Sequence, residues 1–164
     1  MDEFKTGTVL AESFYEQEWK DFVTVNGRRM FQIALLLSGG PNPAENSFIA
    51  SVDDLDLSKA PGKDALAQWQ AAIVTRSVRA AHCIPAWDPV ALSMLQPGLW
   101  PLMRIVGRSR IYFILRVLLR YDTGQCAQML NVKTSETHAL LSEAMKQLQN
   151  PHRTRMISSS CRNL

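Results

Sequence analysis

Three carboxylates crowd one short stretch of the chain, Asp53, Asp54 and Asp56, and paired carboxylates are what general acid–base chemistry requires. That chemistry also needs a nearby histidine or lysine base, or a glycine-rich phosphate loop, and none accompanies them at useful spacing. They read as a solvated acidic rim. The three cysteines (Cys83, Cys126, Cys161) and three histidines are scattered, so no metal-ligand spacing forms and no metal or other cofactor is expected. No Ser-His or Cys-His pair has an oriented third group beside it. Cys126, next to Ala127, reads as a small buried hydrophobe. The chain is therefore expected not to be an enzyme. Its odd cysteine count fits a reducing, cytoplasmic setting better than a disulfide scaffold.

With catalysis set aside, charge points toward binding. Residues 1–100 hold 8 Lys/Arg against 12 Asp/Glu, whereas residues 101–164 hold 10 against 3. An acidic front half followed by a basic back half suits a protein whose second part meets phosphates. No run of 18 uncharged apolar residues occurs, so no membrane partner is expected, and the acidic, aromatic start lacks the pattern of a secretory signal.

The elements that must position these charges are helices. Helical spacing covers 8–23 and 28–37, with Asn26-Gly27 either a weak break or a ripple within a longer helix. Gly39-Gly40-Pro41-Asn42-Pro43 stops that region and opens a helix over about 43–55. Its acidic end opposes the helix dipole and predicts early termination. A loop over 57–63 precedes a helix over 64–81, with Leu66, Trp69, Ile73 and Val74 inward. Pro85, Pro89, Pro97 and Pro101 then exclude a long helix, leaving a linker with one short helix near 88–95. The fold class expected is all-α: two small helical modules joined by a proline-rich linker. The divisions are 8–81, 82–107, 108–149 and a basic tail, 150–164, that either touches nucleic acid or is a solvated end.

The segment Arg110–Leu148 carries the most information. A helix over 108–121 leads to Asp122, followed by Gln125 in a capping-box pattern. Thr123–Leu130 is a helix of two turns, apolar at Cys126, Ala127 and Leu130. Asn131-Val132-Lys133 makes a turn in which Asn131 suits a left-handed backbone. Thr134 or Ser135 caps a last helix that buries Leu140, Leu141, Ala144 and Leu148. This is helix-turn-helix spacing, with Thr134–Leu148 in the recognition position.

These residues resemble region 4 of the extracytoplasmic-function type of RNA polymerase sigma factors, of the sigma-70 family. Tyr112–Arg116 resembles its first helix and Asp122–Val132 its helix-turn segment, with Ala127 at the small position. Thr137, Leu141, Ala144 and Leu148 match its last helix. The front half is similar, more weakly, to region 2: Arg28–Ser38, the turn at 39–43, and Gln68-Trp69 followed by Ile73–Arg79. The resemblance implies core RNA polymerase and promoter DNA as partners, and an anti-sigma factor or other regulatory protein as a further candidate. It implies DNA contacts from Lys133, Ser135, Thr137, His138, Ser142, Lys146 and Arg153, and stacking or phosphate contacts on melted DNA from Trp69, Arg76 and Arg79. Arg116 and Arg120 would serve phosphates or the polymerase. The family's last helix is usually studded with cations, whereas here His138, Leu140, Glu143 and Met145 stand there, with Lys146 the one cation. An alternative expectation follows: a degenerate sigma-like module that binds a protein through Leu140, Met145, Trp87 or Trp100.

Overall fold

The computed structural model describes residues 5–81 and 87–150, and among them all regular structure is helical, with no strand. Arg153, Cys83 and Cys161 lie outside the described residues. None of the described helices is long and apolar enough to cross a membrane.

The first helix, α1 (Lys5–Ser38), is continuous, so Asn26-Gly27 is not a break. Asn26 turns its amide back onto the Phe22 carbonyl (2.9 Å), using its side chain within the helix instead of in a turn. Gly27 lies where an added Cβ would sit 3.6 Å from the Phe48 ring, so the glycine spaces α1 against the next helix at ordinary packing distance. Gly39, at φ +77°, ends α1 in the left-handed conformation that glycine adopts without strain. The second helix, α2 (Pro41–Val52), begins earlier than expected, with Pro41 in its first turn, where a missing N–H costs nothing. It stops ahead of Asp53, Asp54 and Asp56, as their charge predicts. The third, α3 (Ala65–Ala80), buries Trp69, Ile73, Val74 and Val78.

Helices α1, α2 and α3 pack on one another around a chain of aromatic rings. Trp19 meets Phe22 edge-on at 5.3 Å between centroids, and Trp69 lies 5.8 Å from Phe22 and 5.4 Å from Phe48. Such pairs contribute about 0.5–1.5 kcal/mol each beyond the area they bury. Both indoles are satisfied: Trp19 donates to the Lys59 carbonyl (2.7 Å) and Trp69 to the Ser51 hydroxyl (2.9 Å).

From Asp88 to Arg104 the proline-rich stretch is mostly regular. A short helix, α4 (Pro89–Met94), is capped by Asp88 and is followed by a 3-10 segment, Pro97–Arg104, that accommodates Pro101. Gln32 of α1 grips this stretch twice, donating to the Met94 carbonyl (2.6 Å) and accepting from the Gln96 N–H (3.2 Å).

Beyond it, α5 (Gly107–Phe113) passes into one π-helical turn, Ile114–Leu118, and regular structure ends there, short of the expected Tyr121. The wider turn changes which side chains face inward. Ile111 to Leu115 are buried, whereas Val117 and Leu118 are exposed. Then come α6 (Thr123–Leu130) and α7 (Thr137–Gln149), with α7 packed on α5. Buried apolar side chains of α1–α3, of the proline-rich stretch and of α5–α7 form one contiguous cluster.

Arg110 of α5 sits within that cluster, fully buried, and none of its guanidinium nitrogens has a hydrogen-bond partner. Its guanidinium carbon lies 4.4 Å from the centroid of the Trp87 ring. On another side is Gly39, where an added Cβ would fall 2.7 Å from Nη2. A desolvated cation–π contact is worth about 2 kcal/mol, less than the several kcal/mol that burying an ion costs. Burial accordingly pulls the guanidinium pKa down to about 10.

Candidate functional site

The geometry of α6, its turn and α7 follows from local chemistry. Asp122 accepts from the Gln125 N–H (2.8 Å), and the Gln125 side chain accepts from the Asp122 N–H (3.0 Å), closing the capping box. Two of the helix's orphan N-terminal donors are thereby satisfied. At the other end Asn131 takes φ +52°, ψ +50°, the left-handed conformation expected of it. That reversal lets the Val132 N–H reach the Ala127 carbonyl (3.0 Å). Cys126, Ala127 and Leu130 are buried, as expected, and burial pushes the Cys126 thiol pKa up, consistent with a packing role.

The last helix starts differently from expectation. Thr134–Glu136 forms a 3-10 turn, and α7 proper begins at Thr137. Thr137 is fully buried, and its hydroxyl donates to the Thr134 carbonyl (2.6 Å). It therefore builds the turn and does not reach the outer face, a correction to its expected DNA contact. Leu140, Leu141 and Leu148 are half-buried against the core and Ala144 is fully buried.

Lys133, Ser135, His138, Ser142 and Lys146 are all exposed along the turn and α7. Of the DNA contacts expected from the turn and α7, these five are the exposed ones. Glu136 is exposed at the start of α7, where it favours the helix dipole but opposes an incoming phosphate. Glu143, expected on the outer face, is half-buried and accepts from Gln147 Nε2 (2.9 Å). Gln147 in turn accepts from the Val106 N–H (2.8 Å), so Glu143 lies toward the proline-rich stretch. Met145 remains 44% exposed.

The expected strand-melting group is not assembled on a surface. Trp69 is fully buried and bonded to Ser51, so its ring has no face free for a base. Arg76 makes a two-bond pair with Asp54 (2.8 and 2.6 Å), which lowers the Asp54 pKa and raises its own. Of this group Arg79 alone is exposed.

The expected partner-binding residues divide in the same way. Trp100 is 51% exposed, although its indole reaches the Leu95 carbonyl (3.3 Å). Trp87 is half-buried against Arg110, with its indole nitrogen buried, so it is a junction residue and not an exposed anchor. Arg116 and Arg120 are exposed, Arg116 reaching the Tyr121 carbonyl (3.3 Å) and Arg120 standing at φ +61°. A groove of about 410 Å³ runs between α1 and the π-helical turn, with Leu99 and Leu118 in its wall and Arg28 and Arg29 at its edge.

No family model, curated protein or solved structure matches the chain. Sequence reasoning missed Arg110, Gln32 and Gln147. Each carries out its role through residues distant in the chain, and the one local signal is that Arg110 directly precedes the apolar run Ile111–Leu115.

Proposed function

We propose that this chain is a sigma-factor-like protein that binds core RNA polymerase and promoter DNA to direct transcription initiation, without catalytic chemistry of its own. The observation that carries the reading is the unit Thr123–Gln149: a capped two-turn helix, a left-handed Asn131 and a last helix whose Lys133, Ser135, His138, Ser142 and Lys146 are exposed together. In a helix-turn-helix that face enters the major groove, phosphate contacts fix its register and base-edge contacts supply specificity. Lys133 and Lys146 are the cations that stand toward phosphates. Ser135, His138 and Ser142 carry donors and acceptors suited to base edges or backbone. On this reading α1–α3 form the polymerase-binding module, the proline-rich stretch is the linker and α5–α7 form the promoter-reading module. The exposed Arg79 is the strand-melting candidate that remains after Trp69 and Arg76 are assigned to packing.

A second reading is favoured by the exposed Met145 beside a sparsely cationic α7, together with Trp100. Here the fold is a degenerate sigma-like module that binds a protein partner without sequence-specific DNA recognition, using these side chains as apolar anchors.

One experiment separates the two. The protein is used to capture bacterial core RNA polymerase, and the complex is then assayed for promoter-dependent transcription. Capture with transcription supports the first reading, and capture without it supports the second. Failure to capture polymerase counts against both polymerase-based accounts.

A further inference from the structure

The junction between α1–α3 and α5–α7 is built around a buried cation that no carboxylate among the described residues pairs, stacked only on the Trp87 ring. Arg110 is fully buried, its three guanidinium nitrogens lack partners, and the indole nitrogen of Trp87 beneath it is buried and unpartnered as well. The space that holds the guanidinium exists because position 39 is glycine, since any Cβ there would meet Nη2 at 2.7 Å and Nη1 at 3.0 Å. The surrounding stretch is tied firmly to α1: the Asp88 N–H donates to the Gly39 carbonyl (3.3 Å), and Gln32 makes its two bonds to Met94 and Gln96. The chain leaves that anchored stretch at Gly107, which has φ +64° and open space around its Cβ position. A positive-φ glycine without side-chain packing, placed three residues before the trapped arginine, has the properties of a pivot.

From this arrangement we infer that Arg110 is a loaded latch. The packing of α5–α7 on α1–α3 is one of two conformations, and rotation about Gly107 opens it by returning the guanidinium to water. Closing gains apolar burial and the stack on Trp87. Opening regains the hydration of a full positive charge and of the indole N–H. Because these terms oppose each other, the closed form is held less firmly than its buried apolar surface alone would hold it. A partner that grips either group of helices then needs only a modest differential affinity to separate them. Opening also breaks the bond from the Val106 N–H to Gln147, which spans the pivot. The latch requires no particular partner and is independent of whether α7 reads DNA.

The test uses the full chain with Cys83 and Cys161 replaced by Ser, leaving the buried Cys126, and spin labels on cysteines placed at the exposed positions 45 and 142. Double electron–electron resonance should give two distance populations. Arg110→Met, which keeps an unbranched chain without the charge, should collapse them to the shorter one and raise the melting temperature by about 5 °C or more, since replacing a buried charge by an apolar group stabilises packing. Trp87→Leu, which removes the stacking face, should enlarge the longer population. A single distance that Arg110→Met leaves unmoved overturns the latch. So do two populations whose proportions neither variant changes, or an Arg110→Met chain that melts lower or loses helicity.

Discussion

The Trp69 indole donates to the Ser51 hydroxyl at 2.9 Å, and the Ser51 hydroxyl in turn donates to the Phe48 carbonyl at 2.6 Å. This relay joins α3 to α2 and uses up the polar edge of a ring already enclosed by Phe22 and Phe48. Trp69→Ala is expected to destabilise the fold by about 3–5 kcal/mol through cavity formation. Trp69→Phe should cost much less, because Ser51 keeps its acceptor and the lost hydrogen bond is worth about 1 kcal/mol. Urea unfolding followed by circular dichroism measures both. A Trp69→Ala protein of unchanged stability would return the tryptophan to the surface.

The turn before α7 can be tested from both ends. Asp122→Ala removes half of the capping box and should cost about 1 kcal/mol, a fall in melting temperature of about 2–4 °C for a chain of this size. Asn131→Gly should be nearly neutral at φ +52°. Asn131→Val should cost about 1–2 kcal/mol, since a β-branched residue is strained there. Equal melting temperatures for the Gly and Val variants would contradict the left-handed turn.

Acid should loosen the loop after α2. Hydrogen bonds from Ser58 and Lys59 hold the Asp56 carboxyl down at about 2, and Arg76 lowers Asp54. A carboxylate with a depressed folded-state pKa contributes stability that is complete above its unfolded value of about 3.9. That stability is lost as pH falls from about 4 toward 2. Both groups are exposed, so the contribution is small. Asp56→Asn should flatten the melting-temperature profile over this interval and leave it unchanged near neutrality. A profile identical to that of the natural chain would remove Asp56 from the acid response.

Phosphate contact by α7 has its own signature. Lys133→Ala or Lys146→Ala should weaken DNA binding about equally across sequences, and each should reduce the slope of log affinity against log salt by about 1. Fluorescence anisotropy at several salt concentrations reads this. If affinity and slope both stay constant, these lysines have no part in phosphate binding, and the protein-binding reading gains.

Features closed within a few residues were legible in the order of amino acids. The Asp122–Gln125 box, the left-handed Asn131, the inward Cys126, Ala127 and Leu130, and the stop of α2 before its aspartates each depend on spacing along one helix or turn. The all-helical class follows from the same periodicity. What local spacing could not decide was which of two plausible sides a given side chain would face. Asn26-Gly27 could bend or continue, and it continued because α2 packs beside it. A cation after a tryptophan could meet DNA, but Arg76 found Asp54 and Trp69 found Ser51 on other elements. The π-helical turn over Ile114–Leu118, which leaves Val117 and Leu118 exposed, has no signature in local apolar spacing. The seat of Arg110 exists only once Gly39 and Trp87, far away in the chain, close around it, because a buried charge is defined by its neighbours in space and not by its neighbours in sequence.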